Sequence, residues 1–479
     1  MNYSIIANLL GWICSFEAGF MLVPLLTALV YRERDGWSFL MAMVLCLVIG
    51  LPLVLRKPKR STLYMKEGYV TVALSWFVLS ILGAVPFVLS GSIPNPVDAL
   101  FETVSGFTTT GASILTDVES LSHCMLMWRS FTHWVGGMGV LVFLLVLLPK
   151  STGHNMNLMK AESPGPSVGK LVPKVQSTAK ILYLLYFVLT CAQIVFLLIG
   201  KMSLFDTLTT AFGTAGTGGF GIKADSMASY SPYLQNVITI FMILFGVNFN
   251  FYFYLSTKKW KQAFTMEEVR CYFAIILAAI LIIAVDVTRI FGSFGKAFQQ
   301  AAFQVGSIIT TTGFATTDFN LWPQISRTVL VMLMFVGACA GSTGGGIKVS
   351  RFMIMFKTVG KEIQLYLHPN AVKKVRMDGK PIPHEVVRST NIFLITYLFI
   401  YAASVLLIAV DNFDLTTNFT AVAATINNIG PGLEMVGPCG SFHAFSNFSK
   451  LVLIFDMLVG RLEIFPILLL FNRNTWKKF

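Results

Sequence analysis

The segment DALFETVSGFTTTGASIL, residues 98–115, decides the fold of this 479-residue chain. It is a short, mostly apolar stretch that leads into Thr, Gly and Ser, and it lies between two apolar runs of bilayer-spanning length. Three similar segments follow it: FDTLTTAFGTAGTGGFGI (205–222), KAFQQAAFQVGSIITTTGFATTDF (296–319) and NFTAVAATINNIGPGLEM (418–435). We align the four on one glycine each: Gly111, Gly219, Gly313 and Gly430. A unit that recurs in this way indicates an internally repeated architecture.

Each repeat predicts a span, a short re-entrant helix, a glycine turn and a second span. A helix of about ten residues is too short to cross a hydrocarbon core of roughly 30 Å. Irregular backbone is stable at membrane depth only where protein buries it or where it lines water. Four copies around one axis meet that requirement together, and their carbonyl, Thr and Asn oxygens can replace the water shell of a monovalent cation. A single copy would favour an outer loop with a turn glycine, whereas four copies favour a pore.

The composition is that of a membrane protein. Hydrophobic residues make up 55% of the chain and charged residues 12%, about half of the roughly 25% that soluble domains carry. This excludes an ordinary soluble enzyme and a disordered chain. The apolar runs predict ten spans: 5–30, 37–55, 69–90, 122–148, 178–200, 232–256, 271–291, 324–346, 390–410 and 447–471. The predicted fold is an all-α polytopic membrane protein with four pseudo-symmetric helix–pore loop–helix units around one central pore.

We divide the chain into five regions on this basis. Two extra N-terminal helices occupy 1–66, and four pore repeats follow: 67–170, 171–264, 265–380 and 381–479. The third repeat holds a glycine-rich run inside a span and a long basic segment after it.

The charges indicate which side of the membrane each loop faces. The loops at 56–66, 149–180, 257–270 and 348–388 and the C-terminal tail hold most of the 36 basic residues. Because an excess of Lys and Arg marks the cytoplasmic side, we expect both termini in the cytoplasm. The net charge of +13 is then mostly a signal of orientation, and we expect no binding to nucleic acid. Acidic residues of the outer segments are expected to attract cations to the outer mouth: Asp98, Glu102, Asp117, Glu119, Asp411, Asp414 and Glu434.

Two features could control flow below the glycine turns. The run GACAGSTGGG (337–346) lies inside the eighth predicted span, where each glycine weakens a helix by roughly 1 kcal/mol relative to Ala. It is either a mobile loop in the pore or a surface of small residues for close helix packing. Arg461, near the middle of the last span, should face water or a partner, because a charge in hydrocarbon is costly. Pairing with Asp456 or Glu463 and an electrostatic barrier to cations are the two interpretations.

Other ionisable residues of the spans suggest structural or interfacial roles: Glu17, Arg129, His133, Asp286 and Arg289. The seven cysteines are scattered, without metal-ligand spacing. The run GTGGFG (216–221) lacks the βαβ context of a dinucleotide site, and GSTGGGIK (341–348) has Ile347 between the last Gly and Lys348, unlike a phosphate loop. We expect no enzyme activity and no cofactor.

At the repeated segments the chain resembles the Trk/Ktr/HKT superfamily of potassium transporters, and within it the TrkH-like membrane subunits of bacterial Trk uptake systems. The resemblance rests on TVSGFTTTGAS, GTGGFG, TTTGFATTDF and NNIGPG, on WRSFTHWVGGMG after the first repeat, on GSTGGGIK and on LHPNAV. It implies a pseudo-fourfold pore with an intramembrane loop at the glycine-rich run. It also implies potassium selection at four glycine turns, whereas Ser at the first turn would favour sodium.

The candidate site residues follow from the turns and from this resemblance. The potassium filter would comprise three residues of each repeat: Thr109, Thr110, Gly111, Thr217, Gly218, Gly219, Thr311, Thr312, Gly313, Asn428, Ile429 and Gly430. The gate would comprise Gly341, Gly344, Gly345, Gly346 and Arg461. The resemblance further implies a homodimer in the bacterial inner membrane and a TrkA-like cytoplasmic regulatory protein that binds nucleotide, NAD or ATP. A sodium-permeable or ion-coupled porter is the alternative function, followed by a membrane sensor that binds ions without conducting them.

Overall fold

The structure, a computed structural model, describes residues 1–56, 64–139, 175–370 and 373–477. Three predicted features lie outside these residues: the end of the fourth span (140–148), the last two residues of the LHPNAV motif (371–372), and several basic residues assigned to the cytoplasm. These basic residues are Lys57, Lys59, Arg60, Lys150, Lys160, Lys170, Lys174 and Lys478.

Three helices precede the first repeat: Tyr3–Phe20, Leu22–Tyr31 and Gly36–Leu55. The first two continue across Met21 as one span of 29 residues. Small residues let this span approach the next one closely, since a Cβ atom on Gly11 would lie 2.9 Å from the carbonyl oxygen of Gly50. Membrane helices commonly associate through such small residues, because lipid gives them little hydrophobic reason to do so. The two predicted N-terminal spans therefore form one packed pair.

Each of the four repeats begins with a long apolar helix and a short pore helix. The long helices are Met65–Ser90, Val175–Ile199, Glu267–Phe291 and His384–Ile408. The pore helices are Pro96–Phe107, Leu204–Ala215, Phe294–Ile309 and Leu415–Ile426. A polar side chain caps the start of every pore helix by accepting a first-turn N–H, which such residues do at helix N-termini: Asn95, Ser203, Ser293 and Asp414. The predicted all-α architecture of four helix–pore loop–helix units is confirmed.

The second helix is interrupted in the second, third and fourth repeats. In the first repeat the described part of this helix is His123–Gly137. Pro232–Phe245 turns by 91° into Phe249–Ser256. Gln324–Phe335 ends in a loop and resumes as Val349–Leu367, and Asn447–Arg461 is followed by Phe465–Phe471. The predicted spans 232–256 and 447–471 are therefore interrupted, which the sequence did not indicate, and 324–346 is interrupted at the glycine-rich run, in agreement with one of its two interpretations.

The breaks have local causes in the backbone. Asn248 ends the first break by accepting the N–H of Asn250 and so starting a new helix at right angles to the old one. The last break contains Glu463 and Ile464, both with positive φ, a conformation that ends a helix and that is strained for a β-branched residue. Hydropathy does not detect such breaks, because it depends on side chains and not on backbone angles.

Six helices in the described part of the chain are long and apolar enough to cross a bilayer. They coincide with six of the ten predicted spans, and the other four predicted spans are the second helices of the repeats. The chain is thus a multi-pass membrane protein.

The remaining elements are short. A hairpin of Arg376–Met377 and Lys380–Pro381 turns at Asp378 and Gly379, which both have positive φ, as a two-residue type I′ turn requires. The other pieces are a helix at Trp260–Phe264 and 3₁₀ turns at Phe319–Leu321, Ala409–Asp411, Glu434–Val436 and Arg473–Thr475.

Candidate ion pathway

The four repeats meet at their glycine turns, and the contacts close into a ring. A Cβ atom built on Gly111 would collide with the carbonyl oxygen of Gly218, the residue before the aligned glycine of the second repeat. The same relation joins the other repeats in order: Gly219 with the Thr312 oxygen, Gly313 with the Ile429 oxygen, and Gly430 with the Thr110 oxygen. Each repeat therefore presents a carbonyl oxygen to its neighbour, and the fourth repeat touches the first. A side chain of any size at these glycines would force the ring apart.

The backbone follows the same course in all four turns. The aligned glycine has positive φ, and so does the residue two places before it: Thr109, Thr217, Thr311 and Asn428. The N–H of the residue between them donates back to a pore-helix carbonyl at 2.8–2.9 Å: Thr110 to Ser105, Gly218 to Gly213, Thr312 to Ser307, and Ile429 to Ala424. The N–H groups thus point into the repeat, and the carbonyl oxygens of the same residues face the preceding repeat around the ring.

The residues two places before the glycines hold a strained conformation. Their φ angles lie between 55° and 58°, and none of the four is glycine. Such a conformation costs about 1–3 kcal/mol per residue and persists only where the surroundings enforce it. All four side chains are fully buried, so packing on every side supplies that enforcement. Strain of this kind, repeated at aligned positions, points to a functional site.

Side chains at the turns mainly brace the backbone. The Thr108 and Thr110 hydroxyls are 2.8 Å apart, and those of Thr310 and Thr312 are 2.7 Å apart. Asn428 donates its side-chain N–H to the Thr110 hydroxyl oxygen at 3.0 Å and so ties the fourth repeat to the first. The oxygens best placed to meet a cation together are therefore those of the backbone.

The second repeat offers several glycines, and the structure favours one alignment. Of Gly216, Gly218, Gly219 and Gly221, positive φ occurs at Gly219. Gly219 also makes the ring contact with the third repeat. The backbone therefore matches the sequence alignment on Gly219.

The glycine-rich run of the third repeat lies directly against the glycine turns of the third and fourth repeats. Between Phe335 and Val349 it forms an extended, non-helical loop. The sequence left open a loop or a helix surface of small residues, and the structure has the loop. A Cβ atom on Gly344 would lie 3.0 Å from the Thr310 carbonyl oxygen, and one on Gly345 would lie 2.7 Å from that of Asn427. The Gly345 N–H donates to the Thr311 hydroxyl at 2.7 Å. The loop therefore contacts the pore-helix ends of the third and fourth repeats.

The two other candidate gate glycines of this loop are Gly341, near its middle, and Gly346, near its end, and both have positive φ. Gly341 is exposed, and its carbonyl oxygen accepts the Phe249 N–H at 3.0 Å, which joins the loop to the broken helix of the second repeat. A Cβ atom on Gly346 would lie 3.1 Å from the Cα atom of Gly337 across the neck of the loop.

Arg461 connects the loop to the first repeat. Its guanidinium donates to the Thr343 carbonyl oxygen at 2.9 Å and to the Gly136 and Gly137 carbonyl oxygens at 2.6 and 2.9 Å. The two carboxylates considered as partners contact other groups. Glu463 pairs with Arg351 at 2.8 Å, and Asp456 accepts the Ser404 hydroxyl at 2.7 Å.

Two charged side chains that the sequence did not assign to the site also hold the loop. Lys348, which the charge pattern placed in a cytoplasmic loop, is buried and donates to the Gly344 and Gly345 carbonyl oxygens. Glu268 accepts the Ala340 N–H at 2.7 Å and the Ser350 N–H at 3.2 Å, and thus joins both ends of the loop. The assignment of Lys348 was wrong because a loop folded back into the protein satisfies a buried ammonium with its own carbonyls. The sequence did not indicate these contacts, because a lysine four residues after a glycine is not a distinctive pattern.

Three of the seven acidic residues predicted at the outer mouth form ion pairs with basic residues. Asp98 pairs with the buried Lys450 at 2.6 Å, and Glu102 pairs with the buried Arg129 at 2.8 Å. Glu434 pairs with Arg327 on the outer surface. The sequence showed where these acids lie, but not that later parts of the chain bring bases to them, so the expectation of a general cation-attracting mouth is wrong for these three.

The described residues contain no group of three or more His, Cys, Asp or Glu side chains that could hold a metal ion. At the four glycine turns, a carbonyl oxygen of each repeat lies against the aligned glycine of a neighbouring repeat. A ring of this kind suits a weakly held monovalent cation, which must both enter and leave.

Comparison with known proteins gives one consistent family. A family model described as TrkH, cation transport protein, matches residues 37–478. The chain is 35% identical to the Trk system potassium uptake protein TrkH of Escherichia coli, over the whole of both chains. It is 32% identical to TrkG of the same species, over 99% of this chain and 98% of that one. The crystal structure of the potassium transporter TrkH from Vibrio parahaemolyticus superposes with a TM-score of 0.89 at 31% identity and covers both chains fully.

Proposed function

The chain belongs to the TrkH family of cation transport proteins, which are transporters and not enzymes, and we propose on that premise that it carries potassium into the cell. The relatives described above bear the names of potassium uptake proteins and of a potassium transporter. The proposed pathway runs along the axis of the four repeats. Transport would be channel-like, with potassium moving inward down its electrochemical gradient or with weak coupling to another ion. A membrane potential supplies about 2.3 kcal/mol per charge for each 100 mV.

The closed ring of glycine turns is the observation that carries this proposal. Four carbonyl oxygens, those of Thr110, Gly218, Thr312 and Ile429, each lie against the aligned glycine of the neighbouring repeat. Such a ring can replace the hydration shell of a potassium ion with backbone oxygens. The strained residues before the glycines support the same function, because backbone strain concentrates at functional sites.

Three residues of each repeat are proposed to form the filter: Thr109–Gly111, Thr217–Gly219, Thr311–Gly313 and Asn428–Gly430. Glycine at all four aligned positions leaves room for backbone oxygens alone at the narrowest level. This is the basis on which we propose preference for potassium over the smaller, more tightly hydrated sodium ion.

The loop of the third repeat and Arg461 are proposed to form the gate. The loop segment with Gly344, Gly345 and Gly346 lies against the filter, and Gly341 lies at the junction with the broken helix of the second repeat. Arg461 places a positive charge between the loop and the first repeat. A fixed cation in a narrow, weakly polar passage repels a permeating cation strongly, since the screening there is far below that of water. While the loop lies against the filter, the loop and the positive charge of Arg461 together would hinder conduction.

The remaining assignments concern topology and partners. We propose that the protein lies in the bacterial inner membrane with both termini in the cytoplasm, in contact with lipid, that it forms a homodimer, and that a TrkA-like, nucleotide-binding protein regulates the gate from the cytoplasm. The basic segment 348–388 supports this orientation. We retain the proposed division into an N-terminal region (1–66) and four repeats that begin near residues 67, 171, 265 and 381.

Uptake of rubidium, as a potassium substitute, and of sodium into liposomes tests the proposal. Purified protein should carry rubidium much faster than sodium. Equal rates would favour the sodium-permeable or ion-coupled porter. Tight cation binding without any uptake, with the gate opened by variation of Arg461, would favour a sensor.

A further inference from the structure

We propose that Arg129, supported by Glu102 and His133, is a positioning residue that fixes the filter of the second repeat against that of the first and so sets ion selectivity. This proposal rests on the proposed function. None of these three side chains lies in the ring itself, and each forms hydrogen bonds with residues next to the first or second filter turn.

The first part of the arrangement is a buried ion pair behind the first filter turn. The Arg129 Nε atom donates to Glu102 Oε1 at 2.8 Å, and the two side chains are 2% and 0% exposed. Glu102 also accepts the Ile114 N–H at 3.0 Å and the Ser113 hydroxyl at 2.9 Å. The ion pair thus fixes Ser113 and Ile114, which follow the first filter turn.

The second part reaches from the same guanidinium into the second repeat. One terminal nitrogen of Arg129 donates to the Gly221 carbonyl oxygen at 3.2 Å, and the other donates to the Ser113 hydroxyl oxygen at 3.3 Å. The guanidinium carbon lies 4.1 Å from the centre of the Phe220 ring, within the range of a cation–π interaction. Phe220 and Gly221 follow the second aligned glycine, so one side chain holds the exits of two adjacent filter turns together.

The third part is His133, one helical turn after Arg129. Its Nδ1 atom lies 2.8 Å from the Gly106 carbonyl oxygen, and its Nε2 atom lies 3.3 Å from the Phe220 backbone nitrogen. A carbonyl oxygen only accepts and a backbone N–H only donates, so these partners suit a neutral ring with its proton on Nδ1. His133 therefore links the end of the first pore helix to the second filter turn without adding charge.

The other three repeats have no such arrangement at the corresponding positions. The residue seven places after the N-cap of the second helix is, from the first repeat to the fourth, Arg129, Ile238, Leu330 and Leu453. The residue eleven places after the same N-cap is His133, Met242, Met334 and Met457. All are buried. Nine residues before the aligned glycine, Glu102 is replaced by Thr210, Gln304 and Ala421. The buried Arg129–Glu102 pair and His133 thus belong to the junction of the first and second repeats.

This asymmetry has a physical consequence for the filter. Apolar packing is non-directional, whereas charge-assisted hydrogen bonds fix both distance and orientation. The first and second turns are therefore held at a defined separation by the charge-assisted bonds of Arg129, whereas a neutral hydrogen bond from Asn428 to Thr110 joins the fourth turn to the first. If the junction between the first and second repeats loosens, the filter oxygens can move inward and coordinate a smaller ion.

Ion uptake by three variants in liposomes tests this role. In the double variant Glu102→Gln with Arg129→Met, both charges are removed, so that no buried charge is left unpaired. We expect the rubidium-to-sodium uptake ratio to fall by about tenfold, the equivalent of one lost charge-assisted hydrogen bond, while rubidium uptake persists. Ser113→Ala removes one shared hydroxyl and should lower the ratio by about twofold to threefold. Arg327→Gln, which breaks the outer pair with Glu434, is the matched control and should leave the ratio unchanged.

A purely structural role would lower the uptake of both ions in parallel, and that outcome would overturn the proposal, as would an unchanged ratio in the folded double variant. If the double variant gives no folded protein, Ser113→Ala decides, and an unchanged ratio there also overturns it. Absence of rubidium uptake by the unaltered chain, with the gate opened, would instead contradict the proposed function on which this inference rests.

Discussion

The ring of glycine turns, which we propose as the filter, and the loop of the third repeat, which we propose as part of the gate, are both non-helical segments, yet they are held in opposite ways. The ring is built from four copies of one turn, and each turn uses the same hydrogen bond back into its own pore helix. The loop occurs once. It is held by three charged side chains from different parts of the chain, Glu268, Lys348 and Arg461.

The difference indicates which segment can move. Displacing one turn of the ring disturbs two neighbours at once, because every turn contacts the next. The loop is held by single contacts that do not recur around the ring, namely the three charged side chains and backbone bonds such as that from Phe249 to Gly341. An element held in this way can adopt two discrete arrangements. Repetition therefore suits a filter, and singular contacts suit a gate.

The largest effect is expected where a side chain enters the ring. In Gly313→Ala the new methyl group meets the Ile429 carbonyl oxygen and the positive φ becomes unfavourable, so rubidium uptake should fall by about 100-fold or more. Gly306→Ala in the same pore helix is the control, because its Cβ atom would meet only ordinary contacts at 3.5 Å and beyond. Normal uptake in Gly313→Ala would show that the ring is not the pathway.

The next effect concerns the loop. In Arg461→Ala the loop loses its link to the first repeat and the passage loses a positive charge, so basal rubidium uptake should rise by about tenfold. Arg473→Ala, an exposed arginine beyond the last helix, serves as the control. Uptake that is unaltered in the presence and in the absence of the regulatory protein would remove Arg461 from the gate.

Gly111→Ser should alter selectivity as well as rate, because its Cβ atom meets the Gly218 carbonyl oxygen as closely as the new methyl group of Gly313→Ala meets that of Ile429. The added group crowds the Gly218 carbonyl, but its hydroxyl oxygen can itself coordinate a cation. We therefore expect the rubidium-to-sodium uptake ratio to fall by about fivefold. A ratio equal to that of the unaltered protein would count against the assignment of Gly111 to the filter.

Glu268→Gln is a milder change that tests whether the loop and the ring act separately. The amide keeps one acceptor oxygen but loses the charge that strengthens the hydrogen bonds from Ala340 and Ser350. Basal uptake should rise by about threefold with no change in ion preference. Glu267→Gln, at the exposed neighbouring position that pairs with Lys357, should behave as wild type. A change in ion preference would mean that the loop and the ring do not act separately.

The smallest effect is expected at the start of the fourth pore helix. Hydrogen bonds from Thr417 hold the pKa of Asp414 below its usual range. The cap therefore stabilises the fold above the ordinary Asp pKa of about 3.9 and is lost as the pH falls through the lower folded-state pKa. Asp414→Ala should lower the free energy of unfolding by about 1 kcal/mol at neutral pH.

Thermal unfolding in detergent measures this effect, and Asp414→Ser, which can still cap the helix, should restore most of the loss. Equal stability of the Ala variant and the unaltered protein would show that the cap contributes nothing.

The ring could be anticipated from the sequence, whereas the loop's contacts could not. Gly111, Gly219, Gly313 and Gly430 recur with similar surroundings, so a fold that treats them alike explains the pattern. The breaks at Asn248 and Ile464 were missed because they depend on backbone angles within apolar runs. Lys348 and Glu268 were missed as members of the site because their partners are backbone groups, which are the same in every sequence.

The most direct test of the account is the anomalous diffraction signal of rubidium in crystals of this protein. A peak on the axis, inside the ring formed by the Thr110, Gly218, Thr312 and Ile429 carbonyl oxygens, is the predicted result. Rubidium bound only elsewhere, with the ring empty at a concentration that supports uptake, would contradict it.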